Sequence, residues 1–84
     1  MITEKTDLQE LFELAKDALD MVENGETFIV KDLFTGLEWN RIPKGLRTKL
    51  GSIFLSFVQN QTPQLFVENG KTPQNQQIYK KITL

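Results

Sequence analysis

An α+β fold is predicted by three observations. Apolar residues recur at helical spacing over two long stretches, Leu8 to Val22 and Leu46 to Val58. Three short β-favouring runs lie outside them: Phe28-Ile29-Val30, Leu65-Phe66-Val67 and the Ile78–Thr83 segment. Turn and breaker residues (Asn24-Gly25, Pro43, Thr62-Pro63, Asn69-Gly70) divide these stretches. With a brief helical piece after Val30, the order reads helix, strand, helix, helix, strand, strand. That is the order of a winged helix-turn-helix, three helices with a small three-stranded antiparallel sheet. Eighty-four residues make one such domain, residues 1–84. The expected helices lie near 7–23, 31–36 and 44–59, and the strands near 28–30, 65–68 and 78–83.

The first helix opens at Thr6, an N-cap residue with Gln9 three positions on, as in a capping box. Leu8, Leu11, Phe12, Ala15, Ala18, Leu19 and Val22 form its apolar stripe. Leu14 and Met21 widen the stripe and read as core margins, with a homodimer seam through this helix as the alternative. Asn24-Gly25 suits a left-handed C-terminal cap. After the first strand, Lys31 to Phe34 reads as a helical turn or two, interrupted by Gly36 and the segment from Trp39 to Pro43. Trp39 is expected to be buried against the long helix near Gly51 and Phe54, as core rather than as a ligand-stacking platform.

Pro43 fits the first turn of the long helix. Leu46, Leu50, Ile53, Phe54, Phe57 and Val58 fall on one of its faces at about 100° per residue. Lys44, Thr48, Ser52, Ser56 and Gln59 fall on the other, with Leu55 the apolar exception. Gly51 costs about 1 kcal/mol against alanine in a helix interior, which suggests a close approach by Trp39 or the short helix. Thr62-Pro63 forces the chain out of the helix. Asn69-Gly70 signals a turn, but Pro73 argues against a tight hairpin, so residues 70–77 read as an extended polar loop.

Composition narrows the chemistry. The chain has no cysteine, so it has no disulfide, thiolate nucleophile or cysteine metal site. It has no histidine, the commonest general base and metal ligand. No apolar run reaches the roughly 20 residues needed to span a bilayer, and the first residues lack the zones of a signal peptide. A cytoplasmic protein with no membrane association is expected. Carboxylates pair along the first helix (Glu10 with Glu13, Glu13 with Asp17), but on its polar side, where solvation is the simpler reading. No phosphate-loop or nucleophile-elbow motif is present. The expectation is a non-enzymatic protein with no cofactor, metal or small-molecule substrate.

The net charge of −1 conceals a division. Residues 1–26 hold eight acids and two bases, and residues 27–84 three acids and eight bases. A basic surface is what a polyanion would meet. The candidate contacts follow from helix geometry and position. Arg41, Lys44, Arg47 and Lys49 would anchor phosphates, and Thr48 and Ser52 would read base edges. Lys71 and the run Gln74, Asn75, Gln76, Gln77 would form a wing, with Lys80 and Lys81 behind it. The plainer reading of these residues is a solvated amphipathic helix and a polar loop.

Phe28 to Phe34 (FIVKDLF), Glu38 to Pro43 (EWNRIP), Leu50-Gly51 and Phe54 resemble a small uncharacterised family of Gram-positive bacteria and their phages and plasmids. Gly70-Lys71-Thr72 and Gln76 to Lys81 (QQIYKK) extend the resemblance over residues 28–81. The resemblance brings no catalytic motif. It implies DNA binding, double- or single-stranded, by a regulator or accessory factor of phage or plasmid type. The alternative is a protein-interaction module in which the acidic first helix docks on a basic partner or imitates the charge of DNA.

Overall fold

The computed structural model describes residues 2–82. Helix α1 runs from Leu8 to Ala18 and continues as a 3₁₀ turn over Leu19–Met21. Strand β1 is Thr27–Phe28, followed by a 3₁₀ turn at Val30–Leu33. Helices α2 (Gly36–Arg41) and α3 (Lys44–Gln59) are joined by Ile42 and Pro43 alone. Strands β2 (Phe66–Lys71) and β3 (Gln77–Lys81) complete an antiparallel sheet in the order β1-β3-β2. The fold is α+β, three α-helices with a small antiparallel sheet, compatible with the winged arrangement predicted.

Several local expectations are corrected. Asp7, not Thr6, caps α1, its carboxylate accepting from the Glu10 amide at 2.9 Å. Thr6 instead lies buried and accepts from the Thr3 amide, shaping the chain that tucks Ile2 into the core. The helical piece expected at 31–36 is a 3₁₀ turn, and the true short helix begins at Gly36 and takes in Trp39. Its N-terminus is a capping box. Thr35 Oγ1 accepts from the Glu38 amide and Glu38 Oε1 accepts from the Thr35 amide. The T-x-x-E signal was present in the sequence and outweighs the glycine after it.

The Asn69-Gly70 pair does not turn the chain. It sits inside β2, where the register shifts between Glu68 and Lys71, and Gly70 takes a φ of +86°. A side chain is disfavoured there, so the glycine carries the bulge. The turn comes later, and it is tight. The Asn75 amide donates to the Thr72 carbonyl at 2.8 Å and the Thr72 amide to Gln76 at 2.9 Å. Asn75 is left-handed, with φ 66°. Pro73 thus occupies the first corner of a three-residue hairpin loop, a position that tolerates it, and does not prevent pairing. The last strand runs over Gln77–Lys81, and Thr83, expected in it, lies outside the described residues.

The sheet and helices share a continuous core. Phe28, Phe54, Phe66 and Tyr79 meet at ring separations of 5.1–6.4 Å. Ala15 of α1 and Leu19 of the 3₁₀ turn after it close over them, and Ile2, Leu11, Ile42 and Leu50 form the adjoining cluster. The stripe predicted for α3 is the face that packs, with Leu50, Phe54 and Val58 fully buried. Leu14 and Met21 are not core margins; they are 40% and 74% exposed. Burial pushes the Tyr79 phenol up to about 12, and the Glu68 carboxylate across the β2–β3 ladder adds to the rise. Among the described residues, no helix is long and apolar enough to cross a membrane.

Candidate nucleic-acid interface

A hollow of about 510 Å³ opens between three walls. One is the exposed face of the first half of α3, with Lys44, Arg47, Thr48, Gly51 and Ser52. The second is the segment Ile29 to Lys31, with Trp39 of α2 beside it. The third is the hairpin loop and the start of β3, with Asn75, Gln76 and Gln77. Strand pairing sets the distance between these walls. Phe28 lies opposite Tyr79 on β3, so the residues after β1 and those before Tyr79 flank the same end of the sheet.

Lys31, Lys44 and Arg47 are the ionised side chains of the lining, which contains no carboxylate. The three acids of the basic half do not line the hollow, and each accepts a hydrogen bond. Asp32 accepts from the Ile29 amide, Glu38 from Thr35, and Glu68 from Gln59. The N-terminus of α3 adds to the positive character. Pro43 offers no side-chain cap and the first turn holds no acid, so no side chain offsets the positive end of the helix dipole.

Arg47 is the most constrained of the cations. Its Nη2 donates to the Trp39 carbonyl at 3.0 Å, and its guanidinium carbon lies 5.2 Å from the centre of the indole ring. Nε, shut away from solvent, has no partner within the protein. Trp39 is half-buried, not buried as expected, and packs against Phe34 and Arg47. Gly51 is not a site of close packing either. A methyl group added there would meet nothing within 4 Å, because the position faces the open hollow.

Of the residues singled out in the sequence, Lys44, Arg47, Thr48, Ser52, Asn75, Gln76 and Gln77 come together here. Thr48 Oγ1 donates to the Lys44 carbonyl, and Gln77 Nε2 to the Gly70 and Ile78 carbonyls, which holds the loop's exit. Others lie outside the hollow. Arg41 donates to the Ile2 carbonyl at 3.2 Å and lines a separate surface depression with Thr3, Glu4 and Lys5. Lys81 donates to the Val22 carbonyl at 2.8 Å, tying β3 to the end of α1. Lys49, Lys71, Gln74 and Lys80 are exposed but do not line it. Lys31 was missed, although a lysine directly after a strand that must pair with β3 carried the signal. Among the described residues, no group of three or more acids, cysteines or histidines is arranged to hold a metal ion.

Residues 13–81 match the model of a family described as a domain of unknown function, DUF1413. The chain belongs to that family. The match takes in the second half of α1 as well as all of α2, α3 and the sheet, so it reaches further back than the resemblance over residues 28–81. No curated protein and no solved structure matches the chain.

Proposed function

We propose that the domain binds DNA, with the outer face of α3 presented to the major groove and the β2–β3 loop to the neighbouring minor groove. The sugar-phosphate strand between the two grooves would then lie along the hollow. A major groove of about 12 Å admits a helix, and the strand at its border must pass between that helix and anything reaching the next groove. The observation that carries the reading is the lining itself: Lys31, Lys44 and Arg47 with hydroxyls and amides between them, and no carboxylate. Lys31, Lys44 and Arg47 take phosphates, Thr48 and Ser52 face base edges, and Asn75, Gln76 and Gln77 serve as the wing. The same proposal makes the protein a cytoplasmic regulator or accessory factor of phage or plasmid type, supported by the resemblance of residues 28–81. It requires no catalytic group.

Fluorescence anisotropy with a labelled duplex at low salt tests the proposal. Three phosphate contacts should give a log K against log salt slope of about −3, at roughly −0.9 per phosphate. A flat salt dependence, or no binding in low salt, would overturn it. The competing reading is an interaction module working through α1. It draws on Leu14 and Met21, which stand exposed among carboxylates. That reading expects no retarded DNA and a loss of biological activity when Glu10 and Glu13 are neutralised.

A further inference from the structure

We propose that the hollow is built around one phosphate subsite, centred on the Arg47 guanidinium, that takes a phosphate ester of mononucleotide size. The proposal rests on the reading of this hollow as a polyanion site and names the chemical unit it receives.

Four features converge on that unit. Arg47 is held in place before any ligand arrives, by the Trp39 carbonyl at 3.0 Å and the indole ring at 5.2 Å. A guanidinium fixed in this way loses little freedom when it binds, and its planar donors match phosphate oxygens. Its Nε–H is closed off from solvent, so a phosphate contact falls to the Nη groups.

Lys44 lies one turn before Arg47 on the same face of α3, beside the uncapped amides of the helix start, and Lys31 approaches from the opposite wall. All three cations line the one hollow, with no carboxylate among them. Gly51 follows Arg47 by four residues and weakens the helix interior relative to alanine. Packing does not demand it, since an added methyl would meet nothing. What the missing side chain provides is open space along the α3 wall of the hollow. The volume, about 510 Å³, is in the range of small-ligand pockets. Ile29, Val30 and Leu55 give it an apolar side suited to a sugar or base.

A phosphate ester can come from a strand of DNA or from a free nucleotide, and one set of titrations separates the sources. Trp39 is the only tryptophan and touches Arg47, so its emission reports the site. The probes are inorganic phosphate, deoxythymidine monophosphate and a short duplex, with sodium chloride at matched ionic strength as control. A saturable change is expected with phosphate and a tighter one with the nucleotide. Arg47→Lys keeps the charge but not the planar fork, and should weaken both by about ten-fold or more. Gly51→Leu should weaken the nucleotide at least as much while thermal unfolding stays at or above the parent value. Lys16→Gln, on α1, removes one charge elsewhere and should change nothing.

A chloride response equal to that of phosphate, or an Arg47→Lys protein that binds like the parent, overturns the subsite. So does a folded Gly51→Leu protein that binds the nucleotide unchanged. If the nucleotide binds, and the duplex competes in an Arg47-dependent way, the ester belongs to a DNA strand. If the nucleotide binds and the duplex does not, the subsite stands and the DNA reading falls. If the duplex binds without Arg47 and the nucleotide does not bind, the subsite falls and the DNA reading stands.

Discussion

Helices α1 and α3 make an informative pair. Both bury one stripe in the same core, and both turn charged and polar residues outward. They differ in what is done with the charge. On α1 part of it is handled inside the element, although the acids outnumber the bases. Asp7 caps the N-terminus, Glu10 stands in the first turn, and Glu13 accepts from Gln9 and pairs with Lys16 at 3.1 Å. On α3 the N-terminus has no side-chain cap and no acid, and Lys44 and Arg47 pair with no carboxylate among the described residues. A second wall then stands opposite them. A surface that satisfies its own charges needs no partner to be stable. A surface that gathers like charges in a concavity bears a repulsion that an anionic partner removes.

The largest expected effect tests what the two helices have in common. Phe54→Ala in α3 should cost about 3–5 kcal/mol and Leu11→Ala in α1 about 2–5 kcal/mol, each a large share of a small domain's stability. Urea denaturation measures both. If Leu11→Ala costs less than about 1 kcal/mol, α1 is an appendage rather than half of the core, and the two outer faces should not be compared as equals.

Next comes the contrast in function. Lys31→Glu with Lys44→Glu should weaken duplex binding at low salt by about a hundred-fold or more and flatten the salt slope by nearly two contacts. Glu10→Gln with Glu13→Gln should leave affinity unchanged or slightly raised. Anisotropy titrations over a salt series would show the two pairs reversed if α1 were the working face.

A third test reads the core beneath α3. Tyr79 lies 5.1 Å from Phe54, and its phenol is pushed up to about 12. The unfolded chain ionises this tyrosine near its ordinary value of about 10, while the folded protein keeps it protonated to about 12. The stabilisation is therefore complete below pH 10 and is lost as pH rises toward 12, by roughly 1–3 kcal/mol. Chemical denaturation at intervals across that window should show the fall, and Tyr79→Phe should remove it. An equal fall in the phenylalanine variant would assign it to other groups.

The smallest effects sharpen the comparison most, because they carry opposite signs. Asp7→Ala removes the cap of α1 and should cost about 1 kcal/mol. Lys44→Glu puts an acid in the first turn of α3 and should hold or raise stability by a few tenths of a kcal/mol, while weakening DNA binding. Thermal unfolding and anisotropy on the same samples measure both. A Lys44→Glu protein that is both less stable and equally good at binding would mean that the lysine belongs to the architecture of the helix and not to a site.

Local patterning made much of the fold legible. The bounds of α3, Lys44–Gln59, coincide with the reading of its apolar stripe and of Pro43 before it. Helical periodicity is a property of neighbouring residues, so it survives without knowledge of the rest. The short helix was misplaced because Gly36 and the Trp39–Pro43 segment were read as interruptions. The Thr35–Glu38 capping box, also local, outweighed them. The hairpin was misjudged for a related reason, since Asn69-Gly70 has a turn's composition but falls where two strands are already paired.

What the sequence determined alone is the class of elements, the face each helix buries and the division of charge along the chain. These depend on spacing and side-chain type. Which charges face one another was decided only in three dimensions. Seven of the thirteen residues singled out converge on the hollow, and Lys31 joins them from a wall the helix pattern cannot describe. Arg41 and Lys81, equally basic, are drawn off to the carbonyls of Ile2 and Val22. The reason is that residues 31, 47 and 76 approach one another through the pairing of β1 with β3 and the packing of α3 beneath them. Those contacts join positions dozens of residues apart, and no local period encodes them.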